Sequence, residues 1–137
     1  MYAYRRTMLF DGREEIVMEK EIKTLGDRIR ESRVQKEKSL RQLAKDLDVT
    51  PSYLSDIENN RRVPAEAVLL KISRVLEINF NELMSLAGRF GEKAEKYVRK
   101  QPMAVQLFRR IAEENLDEEK LKHLIDLVEK EKGEKQT

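Results

Sequence analysis

Residues 39–62, SLRQLAKDLDVTPSYLSDIENNRR, decide the fold. Ser39 is a strong N-cap, and Gln42 three residues on completes a capping box, so a helix begins there. Leu43, Ala44 and Leu47 fall on one face of that helix. The chain then turns at Asp48-Val49. Thr50 caps the next helix, and Pro51 takes its first position, where a missing N–H costs nothing. Leu54 and Ile57 are this helix's inward residues, which leaves Ser52, Ser55, Asp56 and Asn59 outside. Two short helices across a tight turn, the second presenting short polar side chains, make a shape that fits a DNA major groove.

Upstream, the spacing Ile22, Leu25, Ile29 predicts an amphipathic first helix from Ile22 to about Val34, joined by the polar link Lys36-Glu37-Lys38. Downstream, Asn59-Asn60 end the groove-facing helix, because Asn tolerates the left-handed conformation at a helix C-terminus. Pro64 is expected to open a fourth helix with Val68, Leu69, Ile72, Val75 and Leu76 inward. Asn79-Phe80-Asn81 form a turn and cap, and Glu82 to Ala87 a short fifth helix carrying Leu83, Met84 and Leu86. The expected fold class is therefore all-α, with five short helices over residues 22–87 and a helical extension over 91–137.

The flanks read differently. Asp11-Gly12 between Met8-Leu9-Phe10 and Ile16-Val17-Met18 is a hairpin signal. The simpler expectation for residues 1–21 is a disordered extension, or residues upstream of a true start at Met18. Gly88 and Gly91 mark a boundary. Beyond it Ala94, Tyr97 and Val98 suggest one short helix, and Pro102 opens another with Ala104, Leu107, Phe108 and Ile111 on one face. Asp117 caps a last helix striped by Leu121, Leu124, Ile125 and Val128, with Leu116 and Leu121 placed as a hydrophobic staple.

Composition sets outer bounds. The 137 residues hold no Cys and no Trp, and 39% are charged. Disulfides and thiolate metal sites are thereby excluded, which is compatible with a cytoplasmic location. No run of eighteen apolar residues and no export signal occurs, so no membrane partner is expected. The net charge of +2 is too small to argue for nucleic acid by itself. Its distribution is more telling: residues 22–90 carry 13 Lys/Arg against 10 Asp/Glu, while residues 91–137 carry 11 of each.

Leu43-Ala44, the turn Asp48-Val49-Thr50, Ser52-Tyr53-Leu54-Ser55, Ile57-Glu58-Asn59 and Arg61-Arg62-x-Pro64 together resemble the helix-turn-helix of the Cro and lambda-repressor (XRE) type. The likeness runs upstream through Leu25-Gly26-Asp27-Arg28-Ile29-Arg30 and Arg33, downstream to about Leu86, and covers half the chain. It implies a lambda-repressor-like domain that binds double-stranded DNA as a transcriptional regulator, most simply a cytoplasmic repressor acting as a homodimer. Carried over by position, Pro51, Ser52, Ser55 and Asp56 face base edges. Asp56 either accepts from a cytosine amino group or repels phosphate. The resemblance places Ser39, Leu40, Arg41, Thr50, Tyr53, Asn59, Arg61 and Arg62 towards phosphates. It also implies a structural salt bridge between Arg33 and Glu58. Three departures stand out. Leu40 replaces a DNA-contacting glutamine of some phage repressors, Asp48 and Asn60 replace turn glycines, and Lys38 replaces an apolar residue before the second helix.

A single helix-turn-helix reads few base pairs, so the stripes Leu107, Phe108, Ile111 and Leu121, Leu124, Ile125, Val128 are the expected dimerisation or protein-partner surface. The alternative is packing within one chain. An enzyme is not expected: His123 is the only histidine and nothing accompanies it to build a nucleophile or a metal site, so no catalytic residue, metal or cofactor is assigned. The rival reading is an antitoxin-like or other protein-interaction module on the same fold.

Overall fold

In a computed structural model the chain is described over residues 2–9, 11–20 and 23–134. Phe10 and Ile22, which entered the hairpin and first-helix readings, lie outside the described residues. The chain divides into two units, residues 1–91 and 92–137.

The first unit opens with a feature that differs from the expected disordered extension. Strands β1 (Tyr2–Met8) and β2 (Glu14–Lys20) pair antiparallel in the register Tyr2 to Lys20 and Met8 to Glu14. Gly12 adopts φ +83° in the connecting loop, and its N–H donates to the Leu9 carbonyl at 3.0 Å. Asp11 accepts from the Arg13 side chain and backbone, and those bonds hold its carboxyl below the usual carboxylate range. The Asp-Gly signal thus governs this segment.

Five helices follow: α1 (Leu25–Gln35), α2 (Leu40–Asp46), α3 (Pro51–Glu58), α4 (Glu66–Leu76) and α5 (Phe80–Leu86). Their starts are chemical. Thr24 caps α1 by accepting from the Asp27 N–H. Ser39 and Gln42 form both bonds of the capping box on α2. Thr50 caps α3 and Asn79 caps α5. Three starts depart from the sequence reading, α5 among them, since it begins at Phe80 directly after its Asn79 cap and not at Glu82. Helix α1 begins at Leu25, because Thr24 is its cap. Helix α4 begins at Glu66, not Pro64: the Pro64 side chain is fully buried, and its carbonyl accepts from Arg89 Nε at 3.1 Å.

The helix ends share one device. Glu37, Asp48, Asn60, Glu77 and Gly88 all have positive φ at the ends of α1 to α5. At each, the following N–H reaches back five residues: Lys38 to Arg33, Val49 to Ala44, Arg61 to Asp56, Ile78 to Ser73 and Arg89 to Met84. These left-handed caps satisfy orphan carbonyls and reverse the chain within two or three residues. Only one of the five residues is glycine.

The short turns close the helices around one core. Leu25 and Ile29 of α1, Leu43, Ala44 and Leu47 around α2, and Leu54 and Ile57 of α3 meet Leu69, Ile72 and Leu76 of α4, with Ile78, Leu83 and Met84 beyond. The inward residues expected for α2 and α3 are those found buried. Surface pairs tie the elements together: Arg28 to Glu82 at 2.7 Å between α1 and α5, and Lys38 to Asp46 at 2.5 Å. Lys36 pairs with Glu77 at 2.7 Å and holds that carboxyl below its ordinary range.

The second unit consists of α6 (Glu92–Lys100), α7 (Pro102–Glu113) and α8 (Glu118–Glu134). Asp117 caps α8 by accepting from the Lys120 N–H at 2.9 Å. Among described residues 92–133 none is buried.

The left-handed caps yield a test with opposite signs. A non-glycine residue in this conformation loses about 1–2 kcal/mol, of which glycine's extra unfolded freedom takes back about 0.5–1. Glu37→Gly should therefore raise stability by about 0.5–1 kcal/mol. Asn60→Gly should lower it, because the Asn60 side chain bonds the Gly26 N–H at 3.0 Å and Thr24 Oγ1 at 2.9 Å, each bond contributing about 0.5–1.5 kcal/mol. Urea denaturation measures both. A gain for Asn60→Gly would reduce that residue to a backbone role.

Candidate nucleic-acid interface

The inner side of α3 is fixed before its outer side is free to act. Glu58, at the helix C-terminus, is 2% exposed. Arg33 donates to both carboxylate oxygens, Nε to Oε2 and Nη2 to Oε1, each at 2.9 Å. Its third nitrogen, Nη1, donates to the Lys38 carbonyl at 3.0 Å. The expected Arg33–Glu58 pair is thus bidentate, and it also clasps the end of α1. Sequence reasoning missed a second arginine. Arg30 Nε reaches Glu58 Oε1, and its Nη2 reaches the Glu58 carbonyl, both at 3.3 Å.

Gly26 lies against the same place. A Cβ there would stand 2.2 Å from the Glu58 carbonyl oxygen, so α1 approaches the end of α3 more closely than any other residue type permits. Asn60 finishes the clasp through its bonds to Gly26 and Thr24. A left-handed Asn was legible as a helix end; its side-chain bonds across 34 and 36 residues were not.

With that end anchored, the other side of α3 is presented outward. Pro51 and Ser52 are exposed, and Ser55 and Asp56 are half-buried at its flank. Thr50 spends its hydroxyl oxygen as an acceptor on the Tyr53 N–H at 3.1 Å. Val49, Thr50, Ser52, Tyr53, Asp56 and Arg62 line an open cleft of about 390 Å³ along this face. Arg61 and Arg62 are both mostly exposed just past the helix. The Arg62 guanidinium lies over the Tyr53 ring at 5.4 Å from its centroid, a cation–π arrangement that fixes the arginine along the helix flank.

The other residues expected near phosphate are placed less uniformly. The Asn59 amide donates to the Ser55 carbonyl at 2.9 Å and to Ser55 Oγ at 3.3 Å, while its oxygen accepts from Arg30 at 2.9 Å. Its polar atoms are therefore engaged inside the domain. The Ser39 N–H is taken by Gln42 Oε1 at 2.7 Å. Leu40 packs against the core, and Arg41 is exposed. As the first two helical positions, Leu40 and Arg41 keep N–H groups that no intrahelical carbonyl can reach.

The C-terminal residues form a separate group. Leu107, Phe108, Ile125 and Val128 are more than half exposed, and Leu121 is exposed as well. Ile111 and Leu124 are half-buried. No group of His, Asp and Glu arranged to hold a metal ion occurs among the described residues, and none of their helices is long and apolar enough to cross a membrane.

Known proteins resemble this chain over the same segment. The family model described as helix-turn-helix matches residues 29–83. The ImmF control region 10 kDa protein of Bacillus phage phi105 is 36% identical over 61 residues, which span 44% of this chain and 68% of that protein. The chain belongs to the helix-turn-helix family of DNA-binding transcriptional regulators. Among solved structures, the N-terminal DNA-binding domain of SinR from Bacillus subtilis is 39% identical over 44% of this chain and 88% of that one, with a TM-score of 0.41. A complex of the SinR and SinI proteins matches at 28% identity over 80% of this chain and 99% of that one, with a TM-score of 0.42.

The clasp at Glu58 makes a stability prediction. Arg33→Ala removes the bidentate partner of a buried carboxylate and should cost about 3–5 kcal/mol. Chemical denaturation measures the loss. A change below about 1 kcal/mol, the range of exposed ion pairs, would mean that Arg30 alone sustains the buried charge.

Proposed function

We propose that this chain is a sequence-specific DNA-binding transcriptional regulator, acting as a repressor, that lays α3 in the major groove. The observation that carries the reading is the division of α3 into two sides. Leu54, Ile57 and Glu58 are buried and clasped by α1, while Pro51, Ser52 and the Arg61-Arg62 pair stand outward together. A helix anchored on its inner side and flanked by exposed arginines can enter a groove without rearranging the domain.

In this reading Ser52 and Ser55 meet base edges. A hydroxyl both donates and accepts, so it discriminates bases weakly, and sequence-dependent DNA shape supplies part of the preference. Arg61 and Arg62 grip phosphate, assisted by Arg41 and the N–H groups of Leu40 and Arg41. Asn59 supports Ser55 and Arg30 in place of touching the backbone itself. No catalytic role is assigned to any residue.

The second unit supplies association. Its stripes hold Leu107, Ile125 and Val128 more than half exposed. A second copy covering them would place two recognition helices on adjacent half-sites. This favours a homodimer over a chain that packs its own stripes together, and leaves the same surface open to a protein partner.

Fluorescence anisotropy on the upstream region of the chain's own gene, against a scrambled duplex across a salt range, tests the reading. Binding should prefer the natural sequence and weaken steeply with salt. Absence of both responses would favour the protein-interaction alternative. Replacing Arg61 and Arg62 with Ala should weaken binding to every duplex and flatten the log–log salt slope by about two, one for each phosphate no longer neutralised. An unchanged slope would remove the pair from the interface.

Ending the chain after Gly91 keeps the Arg89 hydrogen bond to Pro64. That shortened chain should remain folded and bind a two-half-site operator about tenfold or more weakly, since the linked second site no longer raises effective concentration. Equal affinity would exclude residues 92–137 from dimerisation.

A further inference from the structure

Asp56 lies half-buried at the flank of the outward side of α3, yet its carboxylate does not stand alone there. Oδ1 lies 3.5 Å from Arg61 Nη1, and Oδ2 lies 4.0 Å from Arg62 Nε. The Asp56 side chain is 31% exposed, while the two arginines are 69% and 61% exposed. Its main chain takes part too, since the Arg61 N–H donates to the Asp56 carbonyl at 2.8 Å in the left-handed cap. Arg62 also lies over the Tyr53 ring. One carboxylate, two guanidinium groups and one aromatic face thus form a closed cluster on the surface offered to DNA.

We propose that Asp56 is an internal phosphate mimic: in the free protein its carboxylate occupies Arg61 and Arg62, and the DNA backbone must displace it to use them. The proposal rests on the DNA-binding reading above. A carboxylate and a phosphate diester each present singly charged acceptor oxygens to a guanidinium, so they compete for the same donors. The two pairs are long and mostly solvated, which makes them easily exchanged: strong enough to hold the arginines in place, and too weak to withhold them from a polyanion. Because every duplex carries the same phosphates, this competition lowers affinity for all sequences alike. It sets how tightly the protein grips DNA and leaves the choice of sequence to other residues.

Salt gives the proposal its signature. When phosphates take Arg61 and Arg62, DNA releases counterions, but Asp56 is left without its partners and draws a cation from solution, which offsets part of that release. Asp56→Asn keeps the shape and removes the offset. With the full-length chain and a random-sequence duplex, Asp56→Asn should tighten binding about three- to tenfold, the range expected for two exposed pairs. The log–log salt slope should steepen by up to about one between about 50 and 200 mM salt. The ranking of duplexes that differ at single positions should stay the same. Glu77→Gln removes a salt-bridged carboxylate elsewhere in the domain, the one paired with Lys36, and should leave affinity and slope as they are.

The effect must also depend on the arginines. In a chain carrying Arg61→Gln and Arg62→Gln, adding Asp56→Asn should recover less than half of the gain. An undiminished gain there would reduce Asp56 to plain repulsion of phosphate and overturn the proposal. So would an unchanged slope in Asp56→Asn, or a shift in preference confined to one base position, which would make Asp56 a base reader. A wild-type chain that binds no duplex at any salt would instead overturn the DNA-binding reading and this inference with it.

Discussion

The first unit depends on one buried charge. A carboxylate that is 2% exposed has lost most of its hydration, and it is tolerable only because two arginines supply donors in its place. Arg33 suits the position for a geometric reason. Its planar fork meets both oxygens at once and still has a nitrogen for the Lys38 carbonyl, which a lysine ammonium could not do in the same plane. That one guanidinium joins the end of α1, the entry to α2 and the end of α3. The helix-turn-helix angle is therefore held by hydrogen bonds at the back of α3 as well as by the leucines beneath it.

The same constraint sorts the basic residues into two populations. Arg28, Arg30 and Arg33 belong to α1 and face acids within the domain, at Glu82 and Glu58. Arg61 and Arg62 lie beyond α3, mostly exposed, where they lean on Asp56 and Tyr53. The small excess of positive charge over residues 22–90 understates the difference, because counting treats a clasped guanidinium and an exposed one alike. What matters for a polyanion is the local field of cations whose partners can be exchanged. By that measure Arg61 and Arg62 form an exchangeable pair of cations at the C-terminal shoulder of α3, Arg62 lining the cleft along its flank.

Much of this was legible in the sequence because it is local. Caps at Ser39 and Thr50, Pro51 at a first position and the inward leucines follow from neighbours within four residues, and those residues occupy the expected places. The Arg33–Glu58 pair came through family resemblance, since nothing in a 25-residue separation reveals it. Arg30 and the Asn60 bonds to Thr24 and Gly26 were missed for the same reason: they join positions that only the folded chain brings together. Glu37 and Glu77 were missed for a different one. Glutamate has no preference for the left-handed region, so those turns are imposed by the tertiary closure of α1 and α4 and not by their own residues. Pro64 misled because a proline that often opens a helix here fills the core two residues before it. At the N-terminus, the Asp-Gly signal outweighed the general tendency of chain ends to lack structure.

The two units invert one another. Leu43, Leu54, Ile57, Leu69 and Ile72 of the first unit are fully buried, yet residues such as Leu107 and Val128 in the second unit stay 60% and 69% exposed. Three helices over about forty residues cannot cover their own apolar faces, because a segment that small has too much surface for its volume. Each square ångström left in water forfeits about 25 cal/mol, a sum recovered when a matching surface arrives. Under the homodimer reading that recovery is coupled to DNA. Joining two domains makes the second half-site contact intramolecular, so modest groove contacts from Ser52 and Ser55 combine into one long-lived complex. A chemically mild recognition helix and an uncovered C-terminal stripe are then two sides of the same arrangement. The first limits how much one copy can gain from DNA, and the second makes the gains of two copies multiply.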